Sequence, residues 1–493
     1  MSAMLGLPVT LFVLPFVGAL VAGALSPFRP RAARFATAGT LVATAVLSAA
    51  AIVESATCPR SEHLAGWAPP LGIEWSLDPL GAFMAAVVAT VASLAVVGPG
   101  AQVHDELRDR SGAFHACVLL LVAGLIGMSL TADLFNLFVF VELSSLSAYA
   151  LVASGGPGAP GAAMRYLIAG SLGAAFFLLG VGHVYAATGS LNLHDAALGL
   201  QSGADEHLVT LGVGLMLGGL AVKMGLFPLH GWVPGAYARA PAPAAALMAP
   251  LVTKVSAAAL IRVVTGLFGT GFAQSRSGFA AMLLAAGIAA MLFGGLRALV
   301  ARDLRRVFAY SSVSQIGLVA IAVALSTPAA LQGAVVHLAN DAFAKAVLFL
   351  AVIVAARFGV RTVADLPRLR GRCPWTRAMI VVAGLSLIGI PPFGGFFSKW
   401  YILHAALEAN AFLAVAGVVG GTLVTIAYVV RLFEALFFRR PSVALALDPR
   451  DAREGPPLLV GACGIAATLL LVLGLVSAPL LEEFLAGAGS WGR

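Results

Sequence analysis

The sequence has little charge for its length. Asp, Glu, Lys and Arg together make up only 11% of its 493 residues, whereas hydrophobic residues make up 60%. A soluble globular domain typically has about 25% charged residues. The composition therefore excludes a soluble globular protein and indicates a chain that lies mostly in a membrane.

Cysteine is also scarce, and no cofactor or metal motif accompanies it. The four cysteines are scattered, without a CxxC pair or a Cys/His spacing, at Cys58, Cys117, Cys373 and Cys463. This pattern excludes a disulfide framework and encodes neither a metal site nor an iron–sulfur cluster. Because the sequence also lacks a nucleotide-binding or nucleophile motif, we expect no cofactor and no enzymatic reaction.

Long hydrophobic runs follow one another through most of the chain. A run of about 20 apolar residues can cross a bilayer as a helix, and the loops between the runs are too short for a soluble domain. We therefore predict an all-α polytopic membrane protein with about fourteen transmembrane helices. The predicted spans are 5–25, 33–53, 79–100, 112–130, 133–153, 162–187, 207–228, 241–267, 277–298, 308–326, 329–356, 377–410, 411–437 and 457–482.

The arginines are distributed unevenly between the predicted loops. Loops on one side hold 22 of them, and loops on the other side hold only Arg60, Arg276 and Arg493. Cytoplasmic loops carry the excess of basic residues, so the asymmetry predicts an even number of spans in the cell inner membrane with both termini outside. The formal charge of +8 therefore reflects topology, and no nucleic-acid partner is expected.

Lysine is the scarcest charged residue, and its placement differs from that of arginine. Only four of the thirty basic residues are lysines, and all four lie inside apolar stretches, at Lys223, Lys254, Lys345 and Lys399. A buried lysine can release its proton, whereas arginine stays charged. The lysines are therefore candidates for proton transfer within the membrane.

Two predicted spans are interrupted by proline close to a lysine. Pro228 follows Lys223 in span seven. Pro391 and Pro392 precede Lys399 in span twelve, five spans later. Proline breaks a helix because it lacks a backbone donor. The alternative is that Pro228 only marks the end of a helix and that Lys223 lies one turn inside it. Interrupted helices in corresponding positions are typical of inverted-repeat transporters.

The positions of the breaks predict two inverted repeats of five helices each. They comprise spans four to eight and spans nine to thirteen, with discontinuous spans seven and twelve. The corresponding domains are the N-terminal helices in 1–111, the first repeat in 112–270, the second repeat in 271–440 and a C-terminal helix in 441–493.

Glu142 lies near the middle of span five. An ionisable side chain at that depth costs roughly 2.5–3.5 kcal/mol on insertion scales and is a functional-site hypothesis by default. Ser145 and Tyr149 follow three and seven residues later, which places them on the same helical face. This face predicts a cation or a proton as the partner of the carboxylate, with a polar clamp between helices as the alternative.

Further titratable side chains occupy the spans that follow. His230 lies just past the first break and can titrate near neutrality, and Lys254 lies near the middle of span eight. His337, Asp341 and Lys345 follow at four-residue spacing along one face of span eleven. A local ion pair between Asp341 and Lys345 with no further role is the alternative. A series of such groups favours a proton path over a binding pocket for one molecule.

Four segments resemble a known family. They read DLFNLFVFVELSSLSAYAL, KMGLFPLHGWVPGAYARAPAPAAALMAPLVTKV, RVFAYSSVSQIGLVA and IPPFGGFFSKW. They resemble the antiporter-like proton-translocating subunits, which comprise large subunits of Mrp-type multisubunit Na⁺/H⁺ antiporters and homologous membrane-arm subunits of respiratory complex I. The resemblance covers roughly residues 70 to 440. It implies about fourteen helices, two inverted five-helix repeats and breaks in helices seven and twelve.

The resemblance also implies roles for individual residues. Glu142 matches the family's essential glutamate, and Lys223 matches the lysine in the broken helix that pairs with it. Lys254 matches the bridging lysine, and Lys399 matches the titratable position on the exit side.

The sequence departs from the family pattern in the middle of the path. Members commonly have a histidine at or just before the position of Asp341, where this chain has Asn340 and Asp341. Members often have a histidine where Gln315 stands. The central link of the relay is therefore expected to run through His337 or water.

The resemblance implies a transport subunit that works with partners. Lysine at position 399 and the segment TPAALQGAVVHLANDAFAKAVLF resemble the D-type subunits of Mrp antiporters, so we expect a proton-translocating subunit of a monovalent cation/proton antiporter. Its expected partners are other integral membrane subunits, protons, Na⁺ and the lipid bilayer. The alternatives are a proton-pumping membrane-arm subunit of a complex I-like NADH-quinone oxidoreductase or a membrane-bound hydrogenase, and a self-contained transporter for a small solute.

Overall fold

The computed structural model of the chain describes residues 6–57, 60–100, 107, 111–439 and 454–477. Thirteen helices in these ranges are long and apolar enough to cross a membrane. The N-terminal helices are α1 (Leu7–Leu25), α2 (Pro30–Thr57) and α3 (Pro79–Val97). The first repeat contains α4 (Ser111–Leu130), α5 (Leu134–Ala153), α6 (Ala159–Thr188), α7 (Leu193–Gln201), α8 (Glu206–Met224), α9 (Val233–Arg239) and α10 (Ala242–Phe268). The remaining helices are α11 (Phe272–Ser275), α12 (Ser277–Val300), α13 (Leu304–Leu325), α14 (Pro328–Ala356), α15 (Pro374–Ile388), α16 (Gly394–Glu408), α17 (Phe412–Phe437) and α18 (Pro457–Leu475).

The predicted span 377–410 is built from two helices. α15 and α16 have 15 residues each. Since an α-helix rises about 1.5 Å per residue, each is about 22 Å long, too short alone for a bilayer core of about 30 Å. The two halves together make a fourteenth crossing, and the predicted polytopic all-α architecture is confirmed.

Both predicted breaks begin at a glycine in the left-handed conformation. α8 ends before Gly225, whose φ is 70°, and α15 ends before Gly389, whose φ is 90°. The predicted helix breakers Pro228, Pro391 and Pro392 lie in the irregular segments that follow. A residue with a Cβ rarely adopts a positive φ, so the glycines set where each helix ends.

The two repeats share an antiparallel bridge at the same place. Asp133, just before α5, pairs with Asn192, just after α6, and Asp303, just before α13, pairs with Thr362, after α14. Each aspartate also caps the helix that follows it, accepting from the backbone N–H three residues on. Because each repeat makes five crossings, an odd number, the second repeat enters the membrane from the opposite side, which inverts its topology.

A short hairpin that the sequence did not predict lies between α2 and α3. β1 (Arg60–His63) and β2 (Glu74–Leu77) pair antiparallel inside the predicted connector 54–78. Trp75 and Leu77 of β2 are buried, whereas β1 is mostly exposed. Strands of four residues show too few alternations to be distinguished from a loop in the sequence.

Several predictions fall outside the described residues. The predicted domain 441–493 is described only from residue 454 to residue 477, where α18 lies. The predicted domain boundaries therefore stay predictions. The following residues also lie outside the described ranges: Cys58, Arg108, Arg110, Arg440, Arg450, Arg453 and Arg493.

A buried ion pair joins the N-terminal helices to α10. Arg262 donates to both carboxylate oxygens of Asp78, at 2.6 and 3.0 Å, and to the carbonyl of Ser129 at 2.7 Å. The arginine and aspartate side chains are nearly fully buried. Because Asp78 caps the start of α3 and Ser129 lies at the end of α4, the pair holds three helices together.

Asp78→Asn is expected to destabilise the protein by about 3–5 kcal/mol, because it leaves the buried Arg262 guanidinium without a counter-charge. Asparagine still caps α3, so the effect reports on the ion pair. The measurement is thermal unfolding of the purified protein in detergent. Glu206→Gln serves as the control, since Glu206 is exposed where it pairs with Arg276 and such pairs contribute little. Equal melting temperatures for the two variants would contradict this role of Asp78.

Candidate functional site

A lysine–glutamate pair, Glu142 and Lys223, lies at the first break. The Lys223 Nζ atom is 3.1 Å from Glu142 Oε1, and it also donates to Ser145 Oγ at 2.7 Å and Tyr149 Oη at 3.5 Å. In these contacts Glu142, Ser145 and Tyr149 of α5 all point to one ammonium group. Lys223 also lies in the last turn of α8, where the negative end of the helix dipole favours an ammonium group.

The break beside Lys223 is held by aromatic side chains. The indole N–H of Trp232 donates to the Val222 carbonyl at 2.9 Å, which satisfies a backbone acceptor at the helix end. The Trp232 ring stacks on Tyr166 with centroids 4.0 Å apart. Tyr166 in turn packs edge-on against Tyr149, with centroids 4.6 Å apart. The half-helix α9 is thus positioned against the helix that carries Glu142.

A central cluster, formed by Lys254, Asp341 and Lys345, joins α10 to α14. Asp341 Oδ2 is 2.8 Å from Lys254 Nζ, and Asp341 Oδ1 is 3.0 Å from Lys345 Nζ. The lysines are 0% exposed and the aspartate is 2% exposed. Asp341 therefore does more than form a local pair with Lys345, because it also binds a lysine from another helix.

Hydroxyl and carbonyl groups complete the central cluster. Lys254 donates to the Ala249 carbonyl at 2.9 Å and to Ser312 Oγ at 3.4 Å. Lys345 donates to Ser311 Oγ at 2.7 Å. Ser311 Oγ lies 2.9 Å from Tyr428 Oη on α17.

The central cluster has one more basic group than acidic groups. With both lysines protonated it carries a net positive charge, and a buried charge without a counter-charge is costly. Loss of a proton from either lysine makes the cluster neutral, and Asp341 still pairs with the other lysine. The arrangement can therefore exchange one proton between two helices without breaking its remaining ion pair.

Lys399 lies at the second break without a carboxylate partner among the described residues. Its Nζ donates to the Leu387 carbonyl at 2.7 Å and to the Ile388 carbonyl at 2.9 Å. These are the last two residues of α15, whose terminal carbonyls lack helical partners. Lys399 also lines a cavity of about 220 Å³ together with Phe396, Trp400 and residues of α17. Both breaks thus place a lysine ammonium group at the C-terminal end of a helix.

His337 and Asn340 point from α14 toward the second break. His337 Nδ1 lies 3.0 Å from the Oγ atom of Ser398, which precedes Lys399. Asn340 Oδ1 accepts a hydrogen bond from Ser386 Oγ at 2.6 Å. His337 therefore lies between the central cluster on its own helix and Lys399 on α16.

The predicted residues form three groups that no direct hydrogen bond joins within the described ranges. These are the lysine–glutamate pair, the central cluster, and the group of His337 and Lys399. His230 belongs to none of them. Its ring packs against Phe227 and Phe293, with centroids 5.5 and 5.1 Å away, so its part in a proton path stays a prediction.

The sequence-based prediction identified Ser145 but missed four other serines that contact the lysines, His337 or Asn340. They are Ser311, Ser312 and Ser398, together with Ser386, which binds Asn340. One signal was present, because residues 311–315 of an otherwise apolar helix read SSVSQ. Serine alone is too common in helices for that signal to identify a partner.

Comparisons with known sequences agree with the predicted family. Residues 131–425 match the family described as NADH:quinone oxidoreductase/Mrp antiporter, TM. NADH-quinone oxidoreductase subunit N of Desulforudis audaxviator is 40% identical over 97% of this chain and 96% of that protein. The D-type subunit of the Na(+)/H(+) antiporter of Bacillus subtilis is 31% identical over 76% of this chain and 75% of that protein.

Solved structures share the whole fold. A chain of the archaeal membrane-bound sulfane sulfur reductase has a TM-score of 0.89 and 29% identity, covering 98% of this chain and 97% of that one. A chain of the Mrp complex from Dietzia has a TM-score of 0.89 and 26% identity, covering 99% of this chain and 98% of that one. The protein is therefore an integral multi-pass membrane protein that belongs to the NADH:quinone oxidoreductase/Mrp antiporter transmembrane family.

Proposed function

We propose that this chain is a proton-translocating subunit of a multisubunit membrane complex. The observation that carries the proposal is the sharing of Asp341 between Lys254 and Lys345, two buried lysines on different helices. The extra positive charge of this cluster costs stability. Release of a proton from either lysine removes that charge, so the arrangement is suited to proton transfer. The family match and the membrane fold support the same assignment.

In the proposed path, protons enter at the lysine–glutamate pair. The Glu142 carboxylate stabilises the ammonium group of Lys223, so a partner subunit that weakens this contact would release the proton. The proton then passes through the central cluster and His337 to Lys399. Glu142 and Asp341 offset part of the cost of the moving charge in the membrane, and the terminal carbonyls of α15 accept hydrogen bonds from the Lys399 ammonium group.

We propose the role of a D-type Mrp subunit in a monovalent cation/proton antiporter, with other integral membrane subunits as partners and Na⁺ as the coupled ion. Relatives named as D-type subunits of Na(+)/H(+) antiporters support this role. A second candidate is a membrane-arm subunit of a complex I-like assembly, in which a redox reaction elsewhere drives the same path. The 40% identity to an NADH-quinone oxidoreductase subunit N favours this second candidate.

Identification of the subunits that copurify with the chain separates the two assemblies. Small antiporter subunits would support the Mrp-like role, whereas quinone-binding and iron–sulfur subunits would support the complex I-like role. Purification of the chain alone, with full transport activity, would contradict both and favour a self-contained transporter.

The concentration of arginine on one side of the membrane supports a location in the cell inner membrane with both termini outside. Single-cysteine labelling from outside intact cells tests this orientation. Labelling of a cysteine introduced at Arg302, in the arginine-rich loop before α13, would contradict it.

Glu142→Gln is expected to lower proton movement roughly tenfold to a hundredfold, because a hydrogen bond to a charged group contributes about 1.5–3 kcal/mol. Glutamine keeps the size of the side chain and removes only its charge. The measurement is the rate of pH change in vesicles that contain the purified complex. Glu408→Gln is the control, since Glu408 is 65% exposed. Wild-type rates in the Glu142 variant would rule out the proposed role of this glutamate.

A further inference from the structure

Two buried hydroxyl groups, those of Tyr237 and Thr253, lie near the central cluster. Their residues are 0% and 1% exposed, respectively. Neither hydroxyl oxygen has a hydrogen-bond partner within the part of the chain that the structure describes. The Tyr237 hydroxyl lies close to Thr253 and near the Asp341 carboxylate. Most buried polar atoms do have a partner, so two neighbouring exceptions require an explanation.

Tyr237 lies between the first break and the helix of the central cluster. Its ring packs edge-on against Trp232, with centroids 6.1 Å apart, and the Trp232 N–H binds the backbone just before Lys223. On its other side the ring packs edge-on against Phe349, with centroids 6.4 Å apart. Phe349 lies one turn beyond Lys345 on α14. The Tyr237 side chain therefore lies between the surroundings of Lys223 and those of Lys345.

Thr253 lies at the same boundary but comes from α10. It precedes Lys254 in the chain. Its γ-methyl group lies 3.7 Å from the position that a Cβ on Gly225 would take, and Gly225 is two residues after Lys223. Two different helices therefore each contribute a buried hydroxyl to the interval between the lysine–glutamate pair and the central cluster.

We propose that Tyr237 and Thr253 transfer protons between the lysine–glutamate pair and the central cluster. This inference rests on the proposed function and adds residues to the interval that no direct hydrogen bond crosses. A buried hydroxyl without a partner costs folding free energy. Phenylalanine and valine would fill the same space without that cost, so a packing role does not account for the two hydroxyls.

The proposed step is balanced in protons and in charge. The lone pair of a hydroxyl oxygen forms a bond to the incoming proton while the O–H bond of the same group breaks, and the released proton moves to the next acceptor. Lys223 loses one proton, and a neutral lysine of the central cluster gains one. Both hydroxyl groups end neutral, and no oxidant or reductant takes part.

Tyr237→Phe is expected to lower proton movement at least about tenfold, since positioned proton-transfer groups contribute on the order of a hundredfold or more. Its melting temperature is expected to equal or exceed that of the wild type, because the variant loses only an unpaired hydroxyl. The measurement uses the purified complex in vesicles. Tyr185→Phe is the control, because it removes the same hydroxyl from a tyrosine that is 50% exposed on α6 and is expected to keep wild-type rates.

Two further variants separate proton transfer from packing. Thr253→Val exchanges the hydroxyl for a methyl group of similar size and is expected to slow transport without lowering the melting temperature. Tyr237→His supplies another group that can accept and donate a proton and is expected to recover part of the transport that Tyr237→Phe loses.

Lys223→Ala distinguishes failure of this inference from failure of the proposed function. Wild-type transport by both Tyr237→Phe and Thr253→Val, together with loss of transport in Lys223→Ala, would overturn the inference and leave the proposed function standing. Wild-type transport by Lys223→Ala would overturn the proposed function and this inference with it.

Discussion

Asp341→Asn is expected to abolish proton movement and to destabilise the protein by about 3–5 kcal/mol, because breaking a buried ion pair leaves uncompensated charge. Here two ammonium groups, those of Lys254 and Lys345, lose their only carboxylate within the described residues. The measurements are the rate of pH change in vesicles and thermal unfolding of the same purified complex.

Two variants show whether the loss of transport in Asp341→Asn is only a loss of folding. Asp205→Asn makes the same chemical change at an exposed helix cap, where asparagine caps as well as aspartate, so both measurements should match the wild type. Lys345→Met leaves Lys254 and Asp341 as a neutral pair, so it should fold at least as well as the wild type and still lose transport. Wild-type transport by Lys345→Met would exclude the central cluster from the path.

Lys223→Arg is expected to reduce proton movement to about 1% or less, the scale of losing a positioned proton-transfer group, while the complex still assembles. Arginine keeps the positive charge and the ion pair with Glu142, but it does not release its proton in a protein. The variant therefore separates the need for a fixed charge from the need for an exchangeable proton. The measurements are subunit composition after purification and the rate of pH change in vesicles.

Arg302→Lys provides the control for this exchange of basic residues. Arg302 is exposed in a loop, so the reverse substitution should leave transport unchanged. Wild-type rates in Lys223→Arg would mean that Lys223 supplies only charge, and the proton would then have to cross the first break by another route.

The membrane spans, the two breaks and the lysine–glutamate pair could all be predicted from the sequence. The spans follow from hydrophobic length, because a helix must cover the bilayer core. The breaks follow from proline beside glycine inside an apolar run. Glu142 and Lys223 could be identified because ionisable side chains are costly in the membrane, and the family resemblance implies that the two side chains pair.

The partners of the remaining groups could not be predicted in the same way. Four-residue spacing placed His337, Asp341 and Lys345 on one face of α14, but spacing within a helix does not state which neighbouring helix that face meets. The structure shows that Asp341 reaches Lys254 of α10, whereas His337 turns to Ser398 of α16. His230, which the sequence placed beside a break, meets aromatic rings instead.

The order of residues alone indicates that this protein crosses a membrane many times, where its helices break, and which four lysines lie inside the apolar stretches. These properties depend on the free energy of transferring each residue from water to lipid and on local backbone chemistry. Each can therefore be predicted from a single segment of the sequence. The folded structure was needed to show that Asp341 is shared between Lys254 and Lys345. It was also needed to show that the hydroxyls of Tyr237 and Thr253 are buried without a hydrogen-bond partner within the described residues. Those contacts depend on how each helix is rotated and packed against the others, which a hydrophobic pattern does not specify.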